Sequence, residues 1–365
     1  MKRDIQGRKV WVDYARVIAI FCVILCHATE NYYGNVIRGT HHIGMVAWIV
    51  ENSLFTLGRL GVPVFLSITG ALQLGKNIKP RQFYRSSLLP LIATTEIWIV
   101  VNYLFVCVIN DKAFEIKELV KEMLFLKTLE LSHMWYMPVI IGIYIALPFV
   151  SAAVKAFEDV KDFYVTYIIA ILIFSGIPTI NVFLTEAVPE ISTLKFIFDM
   201  KFLGGIYGLY LIGGYLIAEK KLFEKVRTGY LLIILAIAFI INSSGQYYLY
   251  SNEYFKSTKL LWYTSLPIFV MGLILFELIR RIFATGLSDK VNSIVRVVAG
   301  SAFGVYLLHK PILVLLNKYI LTSMDVNVMV GIIILLVGGF GISMLVLLPF
   351  YKYAKKAGKI LFFIK

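Results

Sequence analysis

Long apolar runs alternate with short polar segments along the whole chain, and most of the runs are long enough to cross a membrane. A transmembrane helix needs about 20 predominantly apolar residues. About ten stretches meet or approach that length, near residues 10–29, 44–74, 83–109, 134–154, 163–180, 202–219, 229–242, 260–281, 295–317 and 328–351. The second is long for one helix and the seventh is short. The pattern predicts an all-α protein, a polytopic membrane helical bundle of about ten transmembrane helices. One segment departs from it. In "NDKAFEIKELVKEMLFLKTLELS", residues 110–132, apolar residues recur at helical spacing between charges. That suits a helix lying on the membrane surface or a solvated helical loop. No internal repeat or low-complexity tract is visible. Every long polar stretch is under about 25 residues, too short for a folded soluble domain. Residues 1–365 therefore read as a single integral-membrane domain.

Composition agrees: 59% of the 365 residues are apolar and 16% charged, with a mean hydropathy of +0.80. The formal charge of +14 would suggest nucleic acid in a soluble protein. Here its distribution gives another reason. With the N-terminus inside, the inner segments hold about 23 of the 36 Lys and Arg, against about 11 outside, as the positive-inside rule requires. Both termini are then expected in the cytoplasm, and no nucleic-acid partner is expected. The opening "MKRDIQGRK" before an apolar run has the outline of a signal peptide. No A-x-A site follows and the run contains polar residues, so it reads as a retained first helix. Cys22, Cys26 and Cys107 all lie in apolar stretches, which argues against a disulfide framework. Cys22, Cys26 and His27 lack a fourth ligand at suitable spacing, so no metal is expected.

Ionisable groups in transmembrane helices are costly and usually face the bundle interior. In the first helix, Arg16 and His27 are eleven residues apart, within about 20° of one face and about 16 Å apart along the axis. Asp13 falls about 40° to the other side. These residues predict an interior polar stripe from the cytoplasmic end to the outer end. Glu30, one turn past His27, could orient its imidazole; a solvated loop carboxylate is the competing reading. All five histidines, His27, His41, His42, His133 and His309, fall in the outer half of this topology. His27, His133 and His309 lie on or at the start of helices at similar depth, which suggests a shared polar site. Arg59 lies mid-span, and Arg81 and Arg85 open the third helix at the cytoplasmic face. Such arginines serve as topology signals, but their forks also suit phosphate. A basic inner group and a histidine outer group fit a long donor with phosphates at one end and a reactive group at the other, as in coenzyme A thioesters.

The chain resembles the membrane-bound acyltransferase-3 family, which includes bacterial surface-polysaccharide O-acetyltransferases. The resemblance covers nearly the whole chain. It rests on "DYARVIAIFCVILCH", "GRLGVPVFLSITGALQL", "RQFYRSSLLP", "HMWYMPVIIGIYIALP" and "FGVYLLHKPIL", in that order. It implies a multi-pass protein of the bacterial cytoplasmic membrane. The activity implied is transfer of an acyl group, usually acetyl, from cytoplasmic acyl-CoA to a hydroxyl of an extracytoplasmic glycan or lipid-linked sugar. His27 matches the family's essential first-helix histidine and Arg16 its arginine partner. Arg81 and Arg85 match the basic pair assigned to the CoA donor, here spaced R-x-x-x-R. "SSLLP" lacks a basic residue found in many relatives, and "SITG" stands where a Ser-Gly pair is usual. Because the chain ends at "KKAGKILFFIK", it resembles the stand-alone class rather than relatives with a C-terminal extracytoplasmic domain.

A neutral imidazole at His27 can take the proton of the attacking hydroxyl; an acyl-histidine intermediate is the covalent alternative. Candidate donors to the oxyanion are His309, His133, Tyr306 and Trp135, while Arg16, Arg59, Arg81 and Arg85 are candidates for the donor's phosphates. Two other functions remain compatible with these residues: a transporter or flippase of a glycan or lipid-linked intermediate, and a membrane scaffold.

Overall fold

The structure, a computed structural model, describes residues 8–157, 159–187, 205–253, 259–324 and 326–364. Its regular structure is helical throughout these residues. In chain order the helices are α1 Val10–Ile37, α2 Met45–Arg59, α3 Gly61–Gln73, α4 Pro80–Phe83, α5 Leu89–Ile109 and α6 Ile116–Met123. They continue as α7 Tyr136–Lys155, α8 Val160–Ile171, α9 Ile177–Ala187, α10 Gly205–Ala218 and α11 Thr228–Ser251. The last are α12 Leu266–Ile282, α13 Asp289–Tyr319, α14 Val328–Lys352 and α15 Lys355–Phe362. Among the described residues, eight helical stretches are long and apolar enough to cross a membrane. Of the other two expected spans, α10 has 14 residues and α12 has 17. Residues 202–204 of the expected sixth span lie outside the described residues.

Proline explains the main interruptions. The long second stretch is two helices broken at Leu60. Pro63 has no N–H, and its ring clashes with the carbonyl four residues back, at Arg59. Pro90 and Pro178 act similarly. Each follows a widened π turn, Tyr84–Leu88 and Leu172–Gly176, that joins two helices without ending the run.

The described residues form two compact units interleaved in sequence. The first comprises residues up to Lys76 and Val150–Ala299. Lipid removes most of the hydrophobic drive between helices, so association depends on close packing at small residues. Glycines supply it here. A Cβ on Gly70 would lie 1.7 Å from the Leu211 carbonyl oxygen, and one on Gly214 would lie 2.0 Å from that of Ser67, so α3 and α10 touch backbone to backbone. A Cβ on Gly58 would lie 2.5 Å from the Cys26 nitrogen, and one on Gly61 would lie 2.6 Å from the Ala19 oxygen. These contacts seat α2 and α3 on α1. At one end, buried Glu277 accepts two hydrogen bonds from Arg280, at 2.7 and 2.9 Å, and one from Arg281. Arg281 also donates to the carbonyls of Phe223 and Val226, which ties the α10–α11 connection to α12.

The second unit comprises Asn77–Phe149 and Gly300–Lys365. The chain's last helix, α15, packs on α5 here. Trp98 Nε1 donates to the Leu361 carbonyl at 2.6 Å, and the Thr94 hydroxyl donates to that of Ile360 at 2.8 Å. In the 110–132 segment, Lys127 reaches Glu118 and Glu122 at 3.2 Å and Glu130 at 3.4 Å. Burial opposes the Lys127 charge, but the hydrogen bonds with Glu122 and Glu118 outweigh it and hold the ammonium above its usual range. Hydrogen bonds from Lys121 and Lys127 hold Glu118 below the ordinary carboxylate range, and Lys112 does the same for Glu130. Ile116, Val120, Leu124 and Leu126 remain exposed. With the carboxylates gathered under Lys127 and these apolar residues outward, the segment has the form of a membrane-surface helix.

The glycine contacts give a direct expectation. Gly214→Ala forces a Cβ into backbone and should destabilise the protein by about 1–3 kcal/mol or more. Gly142→Ala, where no atom lies within 4 Å of the added Cβ, should be neutral or stabilising. Thermal unfolding in detergent reports both; equal midpoints would refute the packing account.

Candidate functional site

The site begins with one turn of α1. His27 and Glu30 are three residues apart, hence on one helix face, and His27 Nδ1 lies 2.8 Å from Glu30 Oε2. The imidazole side chain is 13% exposed and the carboxylate 34%, so the pair is only partly open to solvent. Glu30 is therefore a helical residue on the imidazole and not a loop carboxylate. With Nδ1 engaged by a carboxylate, which only accepts when ionised, Nδ1 carries the proton of the neutral ring and Nε2 is the basic nitrogen.

Arg59 joins this pair through the backbone. Gly58 packs on Cys26, and because Gly61 packs on Ala19 and Val23 the two helices run antiparallel; Arg59 and His27 thus lie one residue to either side of the contact, about 3 Å apart along the axis. The break caused by Pro63 makes Arg59 the last residue of α2. Its guanidinium lies 4.7 Å from the Phe55 ring centroid, 5.0 Å from Trp262 and 5.6 Å from Tyr263. Cation–π contacts of this kind contribute about 0.5–2 kcal/mol each, and three of them fix the fork's orientation. Glu30 is close enough for its charge to act on Arg59. His27, Glu30 and Arg59 thus bring an imidazole, a carboxylate and a fixed cation together within the first unit.

Arg16 lies elsewhere on α1. Its Nη1 is 3.2 Å from Asp13 Oδ1, and the buried Asp13 carboxylate is also held by Arg8 at 2.8–3.0 Å. The helical alignment of Arg16 with His27 holds, because α1 is continuous. The expected polar stripe does not hold along α1. Ile20 and Val23 occupy the shared face between the two residues and are buried, with Gly61 of α3 seated on Ala19 and Val23. Polar ends on one face do not imply a polar middle.

In the second unit the structure brings His133 and His309 together, as the sequence suggested for two of the three helix histidines. Their rings meet edge to face at 5.1 Å, and both residues are buried. His133 sits in a 3-10 turn, Ser132–Trp135, that leads into α7. The Tyr306 hydroxyl donates to its carbonyl at 2.6 Å. His309 Nδ1 lies 2.6 Å from the Tyr306 carbonyl oxygen, so Nδ1 donates and Nε2 is the basic nitrogen of the neutral ring. Trp135 stands against Tyr136, with ring centroids 5.9 Å apart. Arg81 and Arg85 are exposed, Arg85 within the π turn before Pro90. Neither has a hydrogen bond or ion pair among the described residues. His41 and His42 are exposed in the α1–α2 loop.

Sequence reasoning missed Phe55, Trp262 and Tyr263 as partners of Arg59. The signal was present for Phe55, one turn before Arg59 on α2. The aromatic pair before α12 has no local link to α2.

Fold and site together define a multi-pass membrane protein with partly buried histidine, carboxylate and arginine groups. The family model described as an acyltransferase domain, that of the acyltransferase-3 family, matches residues 9–348. The chain belongs to that family, and it is an acyltransferase. No curated protein and no solved structure matches it.

The His133 cluster yields a test. Tyr306→Phe leaves the buried His133 carbonyl without its hydroxyl donor and should lower unfolding stability by about 1–3 kcal/mol, measured by denaturation in detergent. An unchanged stability would show that this bond does not hold the turn.

Proposed function

We propose that this chain transfers an acyl group, most simply acetyl, from cytoplasmic acyl-CoA to a hydroxyl of an extracytoplasmic glycan or lipid-linked sugar, in the bacterial cytoplasmic membrane. The observation that carries the reading is the 2.8 Å contact between His27 and Glu30, with Arg59 next to the Gly58–Cys26 contact that adjoins it. A sugar hydroxyl is a weak nucleophile at neutral pH. His27 Nε2 removes its proton as the oxygen attacks the thioester carbonyl, while Glu30 orients the ring and supports the imidazolium that forms. Negative charge develops on the carbonyl oxygen, and a cation fixed by three aromatic rings is suited to stabilise it. Collapse of the tetrahedral species breaks the C–S bond. The proton held by His27 passes to the departing thiolate, giving an ester and CoA–SH. In the second unit, Arg81 and Arg85 are exposed cationic forks suited to the donor's phosphates. Arg16, paired with Asp13, holds the base of α1 and acts on the reaction through that helix.

Membranes incubated with acetyl-labelled CoA, followed by mass spectrometry of envelope glycans and lipids, test this reading. His27→Ala should lower transfer by about 10²- to 10⁴-fold with normal membrane abundance, and Glu30→Gln by roughly tenfold or more. Wild-type acylation by the His27→Ala protein would end the proposal.

A further inference from the structure

The first unit holds buried amides that the account so far does not use. Asn242 and Gln246 lie on the core-facing stripe of α11, 1% and 6% exposed. Among the described residues, both amide atoms of each side chain are buried without a hydrogen-bond partner. One turn apart, the two share a face. Towards its start, the same stripe is apolar, with Leu231 and Ala238. Ser243, about 60° around the helix from Gln246 and about 100° from Asn242, accepts from Asn52 Nδ2 at 3.3 Å, and Asn52 Oδ1 accepts from the Tyr33 hydroxyl at 3.1 Å. Asn52 is therefore packed beside the α11 amides.

From Asn52 a polar row leads along α2. Asn52, Thr56 and Arg59 are spaced i, i+4, i+7, on one side of the helix, and cover about 10 Å of its length. Thr56 is fully buried, and among the described residues its hydroxyl has no partner; Arg59 Nε is likewise without one. In the antiparallel register set by Gly58 on Cys26, the row passes the level of His27 between Thr56 and Arg59. Leaving a buried amide or hydroxyl unpaired carries the full desolvation penalty of the group. Polar residues in transmembrane helices are kept mainly where they serve a ligand path or a partner helix. Here several such groups gather on two facing helices.

Their chemistry selects the ligand. An amide offers both donors and an acceptor, and a hydroxyl offers one of each. Apart from Arg59 at its end, the row is uncharged. It matches a neutral, polyhydroxylated ring, whose hydroxyls donate and accept in turn, and does not match a phosphate or carboxylate.

We propose that Asn52, Asn242 and Gln246, continued by Thr56, form the acceptor subsite, which holds an uncharged sugar ring and directs one hydroxyl along α2 towards His27. This rests on the acyl-transfer reading for its connection to His27, but sugar binding is measurable without turnover. The probes are the methyl glycosides of glucose, galactose and N-acetylglucosamine, titrated against the purified full chain in detergent with the thermal unfolding midpoint as readout. At least one should raise the midpoint of the wild type. Asn242→Leu and Gln246→Leu should each bind it about tenfold more weakly or worse. Without ligand the two leucine variants should be as stable as the wild type or more so, since each removes an unpaired buried amide. The subsite is overturned if no glycoside shifts the wild type, if both leucine variants bind like wild type, or if both lose unliganded stability, which would make the amides structural. Glycoside binding with this amide dependence but no acyl transfer would sustain the subsite and reject the acyl-transfer reading. Transfer without the amide dependence would do the reverse.

Discussion

Backbone contact at glycine is the constraint on which the first unit depends. In lipid, apolar side chains gain little by meeting each other instead of acyl chains, so helices stay together where their surfaces fit closely. Gly58 on Cys26, Gly61 on Ala19, Gly70 on Leu211 and Gly214 on Ser67 provide that fit. Each contact also fixes a register. Once Gly58 is seated on Cys26, the position of Arg59 relative to His27 and Glu30 follows, and the Pro63 break ends α2 at that residue. Packing and chemistry are thus set by neighbouring residues of one motif, "GRLGVP".

The energetic logic of the site is compensation for keeping ionisable groups at membrane depth. Arg59 is held by three aromatic rings, His27 by a carboxylate one turn away, Asp13 by two arginines, and Glu277 by two more. Asp13 and Glu277 are buried in local pairs, at the start of α1 and the end of α12. The His27–Glu30 pair differs in being partly exposed, which suits the proposed role of His27 as a base. The buried amides of α11 differ again, since they have no compensating partner among the described residues.

Much of this was legible in the sequence. Apolar run length marked the helices because the hydrocarbon thickness sets a minimum span, and helical periodicity aligned Arg16 with His27. The pairing of His133 with His309 was suggested by their common depth. Three things were not legible. The alignment of Arg16 and His27 said nothing about the residues between them, and Ile20 and Val23 fill that face. The seat of Arg59 depends on Trp262 and Tyr263, some 200 residues away in sequence, which no local pattern reports. The polar face of α11 was hidden because Asn242, Ser243 and Gln246 read as the polar end of a short apolar run, and only packing shows that two of them point to the core.

The central claim is that the α1–α2 contact sets the geometry of the reacting groups. Gly58→Ala tests it most directly, because it leaves His27, Glu30 and Arg59 in the chain and moves only the helix that carries Arg59. The measurement is acetyl transfer per folded molecule in purified protein. The account predicts a loss of about 10²-fold, the scale expected for a displacement of about 1 Å at a catalytic group. Transfer at the wild-type rate by folded Gly58→Ala protein would contradict it.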